Sequence, residues 1–129
     1  EGPAYYDIDE YTDQTLRDIA SETIREKALK LLQDEVPHGI FVEVEKMKRG
    51  KTRDNEPIFN IEATIYCLRD SHKGIIIGKN GSMLKKIGTY AREDLEKELQ
   101  DKVNLQLWVK VREDWINNDK FVKLFKNTD

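Results

Sequence analysis

Apolar side chains in the first third of the chain recur at helical spacing. They are Leu16, Ile19, Ala20, Ile24, Ala28, Leu31 and Leu32. These positions are three or four residues apart and form one face, while the residues opposite are mostly charged. Thr12 or Asp13 is placed to cap the first turn, and the helix should stop before Pro37. The pattern predicts an amphipathic helix with one buried face.

Three later segments alternate apolar and polar side chains with a period of two. The first is centred on Ile40, Val42 and Val44, and the other two occupy residues 59–67 and 103–111. This period is that of a strand with one buried face, so three strands are predicted. The connection between the first two strands, residues 46–53, holds five basic residues and no acidic one. It is predicted to be a long basic hairpin loop that contacts phosphates. A loop that only increases solubility would explain the basic composition equally well.

Between the second and third strands lies a stretch with a glycine corner. An apolar run, Ile75-Ile76-Ile77, leads into Gly78-Lys79-Asn80-Gly81, after which apolar positions again have helical spacing at residues 84, 87 and 91. Two helices joined by a tight corner fit this order. Gly88, inside the second helix, is predicted to mark close packing against a neighbouring element.

The corner has the chemistry of a site for a polyanion. Gly78 and Gly81 lack a Cβ, so another backbone can approach them closely, and Asn80 tolerates left-handed dihedral angles. A helix that begins directly afterwards would direct free N–H groups and its positive dipole end at a phosphate. The surrounding stretch 71–92 is basic and contains no acidic residue; its cations are Lys73, Lys79, Lys85, Lys86 and Arg92.

Three other interpretations of this corner are weaker. Asn80-Gly81 is a strong hairpin signal, but the flanking segments have helical periodicity. The spacing from Gly74 to Gly78 is one residue too short for a nucleotide-binding P-loop, and an asparagine stands where that loop needs a hydroxyl. Asn80-Gly81-Ser82 is a formal glycosylation sequon, but no other feature suggests secretion.

Composition and charge narrow the possible functions. The chain of 129 residues is most simply one domain and carries a net charge of −3, so charge placement rather than total charge argues for nucleic acid. The single cysteine, Cys67, excludes an internal disulfide and favours a cytoplasmic, reducing compartment. No apolar run is long enough to span a membrane. Neither His38 nor His72 has a catalytic partner at a recognisable spacing, so no catalytic, metal or cofactor site is predicted.

The two ends of the chain differ from its middle. Residues 1–11 are acidic without a repeating apolar face and are predicted to be an interdomain linker. Residues 12–125 are predicted to form the domain, including a short docked helix after residue 114. Residues 126–129 are expected to fray.

The order helix, strand, strand, helix, G-x-x-G, helix, strand resembles the type II KH domain. This resemblance implies an α+β fold with a three-stranded mixed sheet and helices packed on one face. It also implies that the G-x-x-G loop clamps about four nucleotides of single-stranded RNA over an apolar floor formed by Ile75, Ile76, Leu84 and the strand near Leu107. The residues expected to bind RNA are Gly78, Lys79, Asn80, Gly81, Lys73, Ile75, Ile76, Leu84 and Lys85, with Lys48, Arg49 and Lys51 as a secondary contact.

Further segments resemble the carboxy-terminal part of the Era family of bacterial GTPases. They are Tyr11-Thr12-Asp13-Gln14, Ile24-Arg25-Glu26-Lys27, Val36-Pro37-His38, Lys73-Gly74-Ile75-Ile76-Ile77-Gly78-Lys79 and Leu107-Trp108-Val109-Lys110-Val111. Glu1-Gly2-Pro3 is similar to that family's interdomain linker, whereas residues 125–129 depart from its usual ending.

The Era resemblance implies a module that holds the 3′ end of ribosomal RNA during maturation of the small ribosomal subunit. In that family an N-terminal GTPase domain of the same chain switches the affinity, and the full-length protein can associate peripherally with membranes. These residues contain no G-loop or guanine-specificity motif, so the chain is expected to bind RNA without hydrolysing GTP. Two alternatives stay open: a general nucleic-acid-binding KH module, and a KH fold used only for protein contacts.

Overall fold

The computed structural model describes residues 12–33, 36 and 39–112. Its helices are α1 (Asp13–Leu32), α2 (Asp70–Ile77) and α3 (Ser82–Leu99), and its strands are β1 (Ile40–Lys51), β2 (Pro57–Cys67) and β3 (Lys102–Val111). A single 3-10 turn, Lys79–Gly81, joins α2 to α3. The predicted linker 1–11 and the predicted tail helix lie outside the described residues.

The sheet has the strand order β1-β2-β3 and is mixed. β1 pairs antiparallel with β2, and β2 pairs parallel with β3. Parallel pairing needs a crossover connection, and α2 and α3 provide it. Together with the helices this confirms the predicted α+β fold.

One face of the sheet carries the core. Alternate strand residues are buried against the helices, among them Val42, Ile61 and Ile65. From the helices, Ile24 of α1 and Leu95 of α3 are fully buried in the same cluster. Thr12 caps α1 as predicted, because its side chain accepts a hydrogen bond from the Thr15 N–H at 3.1 Å. Period-two strands and period-3.6 helices therefore meet in one apolar layer.

The prediction that residues 46–53 form a long hairpin loop is wrong. Residues 46–51 continue strand β1 and pair with β2 as far as Lys51 opposite Pro57, after a register shift between Val44 and Lys46. Only residues 52–56 form the turn. The strand extends because Met47 is buried and because the Arg49 guanidinium lies 5.3 Å above the Phe59 ring.

Helix α1 lies along the edge strand β1 and covers part of its hydrogen-bonding edge. Three side chains donate to β1 carbonyls: Arg17 to Val44 at 2.8 Å, Ser21 to Val42 at 3.2 Å and Arg25 to Ile40 at 3.5 Å. The donors are four residues apart on the helix and the acceptors two residues apart on the strand. These spacings match because four helical residues rise about 6.0 Å and two strand residues about 6.7 Å. These contacts occupy carbonyls that could otherwise pair with another strand.

Glu98, at the contact between α1 and α3, should make the stability of the domain depend on pH. Burial raises the pKa of the Glu98 carboxyl and repulsion from Asp94 raises it further, while the Thr23 hydroxyl, donating at 3.4 Å, lowers it. A carboxyl with a raised folded-state pKa destabilises the fold at neutral pH, and this cost decreases as the pH falls through that pKa and is gone below the lower pKa of the unfolded state. Glu98→Gln should therefore stabilise the domain at pH 7 by roughly 0.2–0.5 kcal/mol, the size of one like-charge pair four residues apart.

Urea unfolding at pH 7 and near pH 3 measures this effect. The gain should be present at pH 7 and absent at the lower pH, where the Glu98 carboxyl is protonated and uncharged, as glutamine is at both pH values. Glu93→Gln, at an exposed position of the same helix, is the matched control. An equal gain for Glu98→Gln at both pH values would show that the carboxylate charge is not its cause.

Candidate nucleic-acid interface

The Gly78–Gly81 corner has a backbone that demands glycine at its first position. Gly78 has φ 75°, and a Cβ built there would lie 2.7 Å from the Met83 Cβ and 2.8 Å from the Met83 backbone nitrogen. Both distances are well inside van der Waals contact, and the nitrogen belongs to the first turn of α3. Gly78 therefore allows α2 and α3 to meet at this angle.

The rest of the corner faces outward. Asn80 (φ 56°) and Gly81 (φ 77°) have positive φ values, which asparagine and glycine adopt more readily than other residues. A Cβ built on Gly81 would meet no atom within 4 Å, so the space beside it is open. The side chains of Lys79 and Asn80 are exposed. The corner thus presents bare backbone flanked by one cation and one amide.

The amino terminus of α3 adds a positive end to this corner. Gly81 is its N-cap residue, and within the described part of the chain no side chain caps it and no acidic residue occupies its first turn. The Ser82 N–H donates to the Lys79 carbonyl of the preceding turn, and the N–H groups that follow at the start of a helix have no partner within the helix. Such a terminus favours an anion through these donors and through the helix dipole.

A groove of about 370 Å³ begins at the corner and follows the seam between α3 and β3. It is lined by Gly81, Leu84, Lys85, Gly88, Thr89, Arg92, Leu105 and Leu107. Leucines form its apolar part, and cations border it along α3. A Cβ built on Gly88 would come 3.6 Å from Leu107, an ordinary contact distance. Gly88 therefore faces β3 as predicted, but a methyl group would fit at this position, so the contact does not require glycine and the missing side chain widens the groove.

The structure brings together most of the residues predicted for the site. The four corner residues, Leu84 and Lys85 adjoin or line the groove, and Lys73 and Ile75 are partly exposed on α2. Ile76 does not fit, because its side chain is fully buried in the core and cannot reach a base. The apolar part of the groove comes from Leu84, Leu105 and Leu107 rather than from Ile76.

Four residues that line the groove were not predicted as site residues from the sequence: Gly88, Thr89, Arg92 and Leu105. Thr89 and Arg92 follow Lys85 by four and seven residues, so helical spacing already placed them on the same face. Leu105 belongs to β3, and its position depends on strand pairing.

The basic residues of β1 lie far from the corner. Gly50 pairs with Ile58, which pairs with Lys102 at the start of β3, just after the carboxyl end of α3. The corner lies at the other end of α3, whose 18 residues span about 27 Å. Arg49 also contacts Asp101 at 3.4 Å, so part of its charge is already compensated.

Trp108 lies on the sheet face opposite the helices. Its side chain is 44% exposed, and none of the described helices covers it. The sequence allows two interpretations of an aromatic residue on this face of the strand, base stacking and cover by helices, and the helices α1–α3 do not cover it. A role in stacking a base stays a prediction.

Metal ligands do not cluster in the described residues, and Cys67 is buried. No cluster of three or more histidine, cysteine or acidic side chains that could hold a metal occurs in residues 12–33, 36 and 39–112. Burial raises the pKa of the Cys67 thiol, which disfavours the reactive thiolate. Within the same ranges, no helix has both the length and the apolar character needed to cross a membrane.

Three helices on one face of a mixed three-stranded sheet, with a G-x-x-G corner between the second and third, define a type II KH domain. The family model described as "KH domain" matches residues 35–116. This is more than half of the chain, and the chain belongs to the KH domain family.

Within that family the chain is similar to Era. It is 58% identical over 123 residues to GTPase Era of Clostridium tetani, covering 95% of this chain and 40% of that protein. It is 52% identical to GTPase Era of Clostridioides difficile, covering 100% of this chain and 42% of that protein. The resemblance predicted from the sequence is therefore confirmed, and the chain spans about two fifths of the length of these relatives.

A solved structure agrees with this relationship. It is described as Era in complex with MgGDPNP and nucleotides 1506–1542 of 16S ribosomal RNA. The match has a TM-score of 0.77 and 42% sequence identity, and it covers 97% of this chain and 41% of that one.

Proposed function

We propose that this domain binds single-stranded RNA through the Gly78–Gly81 corner and the adjoining α3–β3 groove. The proposal rests on one observation, which is that the corner and the groove form one continuous surface. Open backbone and an uncapped helix terminus suit a phosphate, and they lead directly into an apolar groove bordered by Lys85. Unpaired bases can enter such a groove, whereas the bases of a duplex are already stacked and paired.

The proposed target is the unpaired 3′ end of small-subunit ribosomal RNA. Support comes from the similarity to Era and from the solved complex of Era with a 16S ribosomal RNA segment. In this proposal the domain is the RNA-binding part of an Era-like cytoplasmic GTPase that acts in maturation of the small subunit. The GTPase activity belongs to a different part of such a protein, so the domain by itself binds RNA without hydrolysing GTP.

A binding panel tests the proposal. Fluorescence anisotropy would compare the single-stranded 3′ tail, its scramble, a duplex and the matching DNA at two salt concentrations. The single-stranded tail should bind most tightly, and each well-placed base contact should give roughly 1–3 kcal/mol of discrimination against the scramble.

The panel also separates the alternative functions. Equal affinity for the tail and its scramble would favour a general nucleic-acid module. The absence of salt-dependent RNA binding would favour a domain used for protein contacts. Tightest binding to the duplex would contradict the groove as the binding site.

We also propose a secondary phosphate contact at Lys48, Arg49 and Lys51. Because this end of the sheet lies about 27 Å from the corner along α3, it can contribute only with RNA that extends well beyond four nucleotides. Arg49 packs on Phe59, so the test uses the exposed Lys48 and Lys51. Changing both to glutamine should reduce the log–log salt slope for a long strand by about 1.4, which is about 0.7 for each lost contact.

The same double variant should bind a four-nucleotide strand as the unchanged protein does. An unaltered salt slope with the long strand would show that these residues do not contact phosphates and would favour a role in solubility alone. Lys30→Gln with Lys97→Gln, two exposed lysines at helix ends, removes equal charge and serves as the control.

A further inference from the structure

Arg92 lies at the end of the groove that is farthest from the glycine corner. Arg92 comes eleven positions after Gly81, which along the helix is a rise of about 16 Å. This length exceeds one nucleotide step of an unstacked strand, so Arg92 lies beside a nucleotide farther along the strand than the one at the corner. Arg92 is therefore placed beside the last nucleotide that the groove can hold.

The guanidinium of Arg92 is held in place by a chain of hydrogen bonds. Arg92 Nη1 donates to Glu96 Oε1 at 3.0 Å, and Glu96 Oε2 accepts from the backbone N–H of Val103 at 3.0 Å. The carboxylate thus ties the arginine to the first residues of β3. The two side chains are 39% and 31% exposed, so the pair is anchored yet reachable from the groove.

The charge around Arg92 disfavours a second phosphate clamp. Lys85 and Lys86 flank the corner, whereas Arg92 forms an ion pair with Glu96 at 3.0 Å. Glu96 therefore compensates the guanidinium charge. Arg92 still has a planar set of hydrogen-bond donors with fixed directions, since a guanidinium has five N–H groups. Such a fork fits a base edge that carries two adjacent acceptors.

We propose that Arg92 reads the base at the distal end of the bound strand and selects guanine, and that Glu96 is its positioning residue. Guanine presents O6 and N7 as neighbouring acceptors, whereas adenine replaces one of them with a donor. The unpaired bases of a single strand leave this edge accessible. The inference rests on the proposed RNA-binding function and specifies one contact within it.

The test uses uridine heptamers that carry one guanine at each position in turn, and the same set with adenine. For the unchanged domain, guanine at one position near an end of the bound stretch should bind about 5- to 150-fold more tightly than uridine, equivalent to about 1–3 kcal/mol. Adenine should show no such preference. The absence of any guanine-preferring position would overturn the inference, while loss of binding to every heptamer would overturn the proposed function itself.

Two variants separate base recognition from a general charge effect. Arg92→Lys keeps the charge but loses the fork, so it should reduce the ratio between the guanine and uridine affinities to about one, whatever its effect on the affinity for the all-uridine strand. Glu96→Gln should weaken the same preference by misplacing Arg92. Arg53→Lys, the same change on the exposed β1–β2 turn, is the control. If Arg92→Lys retains the full guanine preference, Arg92 does not read this base.

Discussion

Replacing Lys79 and Asn80 together by aspartate is expected to lower the affinity for single-stranded RNA by about 100-fold or more. Both side chains are exposed at the corner, so two carboxylates would lie where the RNA phosphates are proposed to bind. Juxtaposed like charges cost several kcal/mol, and each 1.4 kcal/mol is a factor of ten in affinity. The fold should persist, because aspartate tolerates the left-handed conformation of residue 80.

The control for this variant matches its change in charge. Lys110→Asp with Gln106→Asp alters the net charge by the same amount at exposed positions of β3, on the face away from the groove. Its affinity should fall only slightly, through the overall field of the protein. Anisotropy measures binding, and circular dichroism confirms folding. A folded corner variant that retains full affinity would place the RNA site elsewhere on the domain.

Gly78→Ala should be the most destabilising single change at the corner. The new methyl group would meet the backbone nitrogen of Met83 at 2.8 Å, and alanine is strained at φ 75°. The strained backbone alone costs about 1–3 kcal/mol, and the clash adds to it because a backbone atom in a helix cannot rotate away. The junction of α2 and α3 must then shift, which also displaces the amino terminus of α3.

Gly81→Ala is the matched comparison, since φ is 77° at this position but a Cβ meets no atom within 4 Å. It should cost only the roughly 1–2 kcal/mol of the left-handed backbone. Urea unfolding of the two variants measures a difference that combines the clash with the additional strain at Gly78, whose ψ of 176° lies outside the left-handed helical region that Gly81 adopts. Equal losses of stability would show that the contact with Met83 relaxes at no cost.

The two variants should also differ in how they affect RNA binding. Gly78→Ala moves the helix terminus, so its loss of affinity should follow its loss of structure. Gly81→Ala leaves the terminus in place and adds one methyl group on the open side, where the RNA backbone is proposed to approach. Its affinity should fall even at temperatures where the domain is fully folded.

The sequence by itself determined the kind and order of the elements. The apolar face of α1 and the alternation in β3 are local patterns, and each repeats often enough to define its period. The sequence also predicted the corner at residues 78–81, because asparagine and glycine are among the few residue types that accept positive φ. Together these patterns were specific enough to indicate a KH domain and its relation to Era.

Local patterns did not settle the boundary of β1 or the orientation of adjacent apolar side chains. Residues 46–51 are mostly basic and resemble a loop, yet they are held in the strand by Phe59 and Asp101, which are distant in sequence. Ile75 and Ile76 are equally apolar neighbours. Only the packing of α2 against the sheet makes the first partly exposed and the second fully buried.

The shape of the groove was decided by tertiary structure alone. Its two walls belong to α3 and β3, and β3 takes its place because it pairs parallel with β2. That pairing sets Leu105 and Leu107 opposite Gly88 and Arg92, and it brings the Val103 N–H to Glu96. A sequence pattern reports which face of one element is apolar. Which faces meet, and how wide a gap they leave, depends on packing between elements that no single segment encodes.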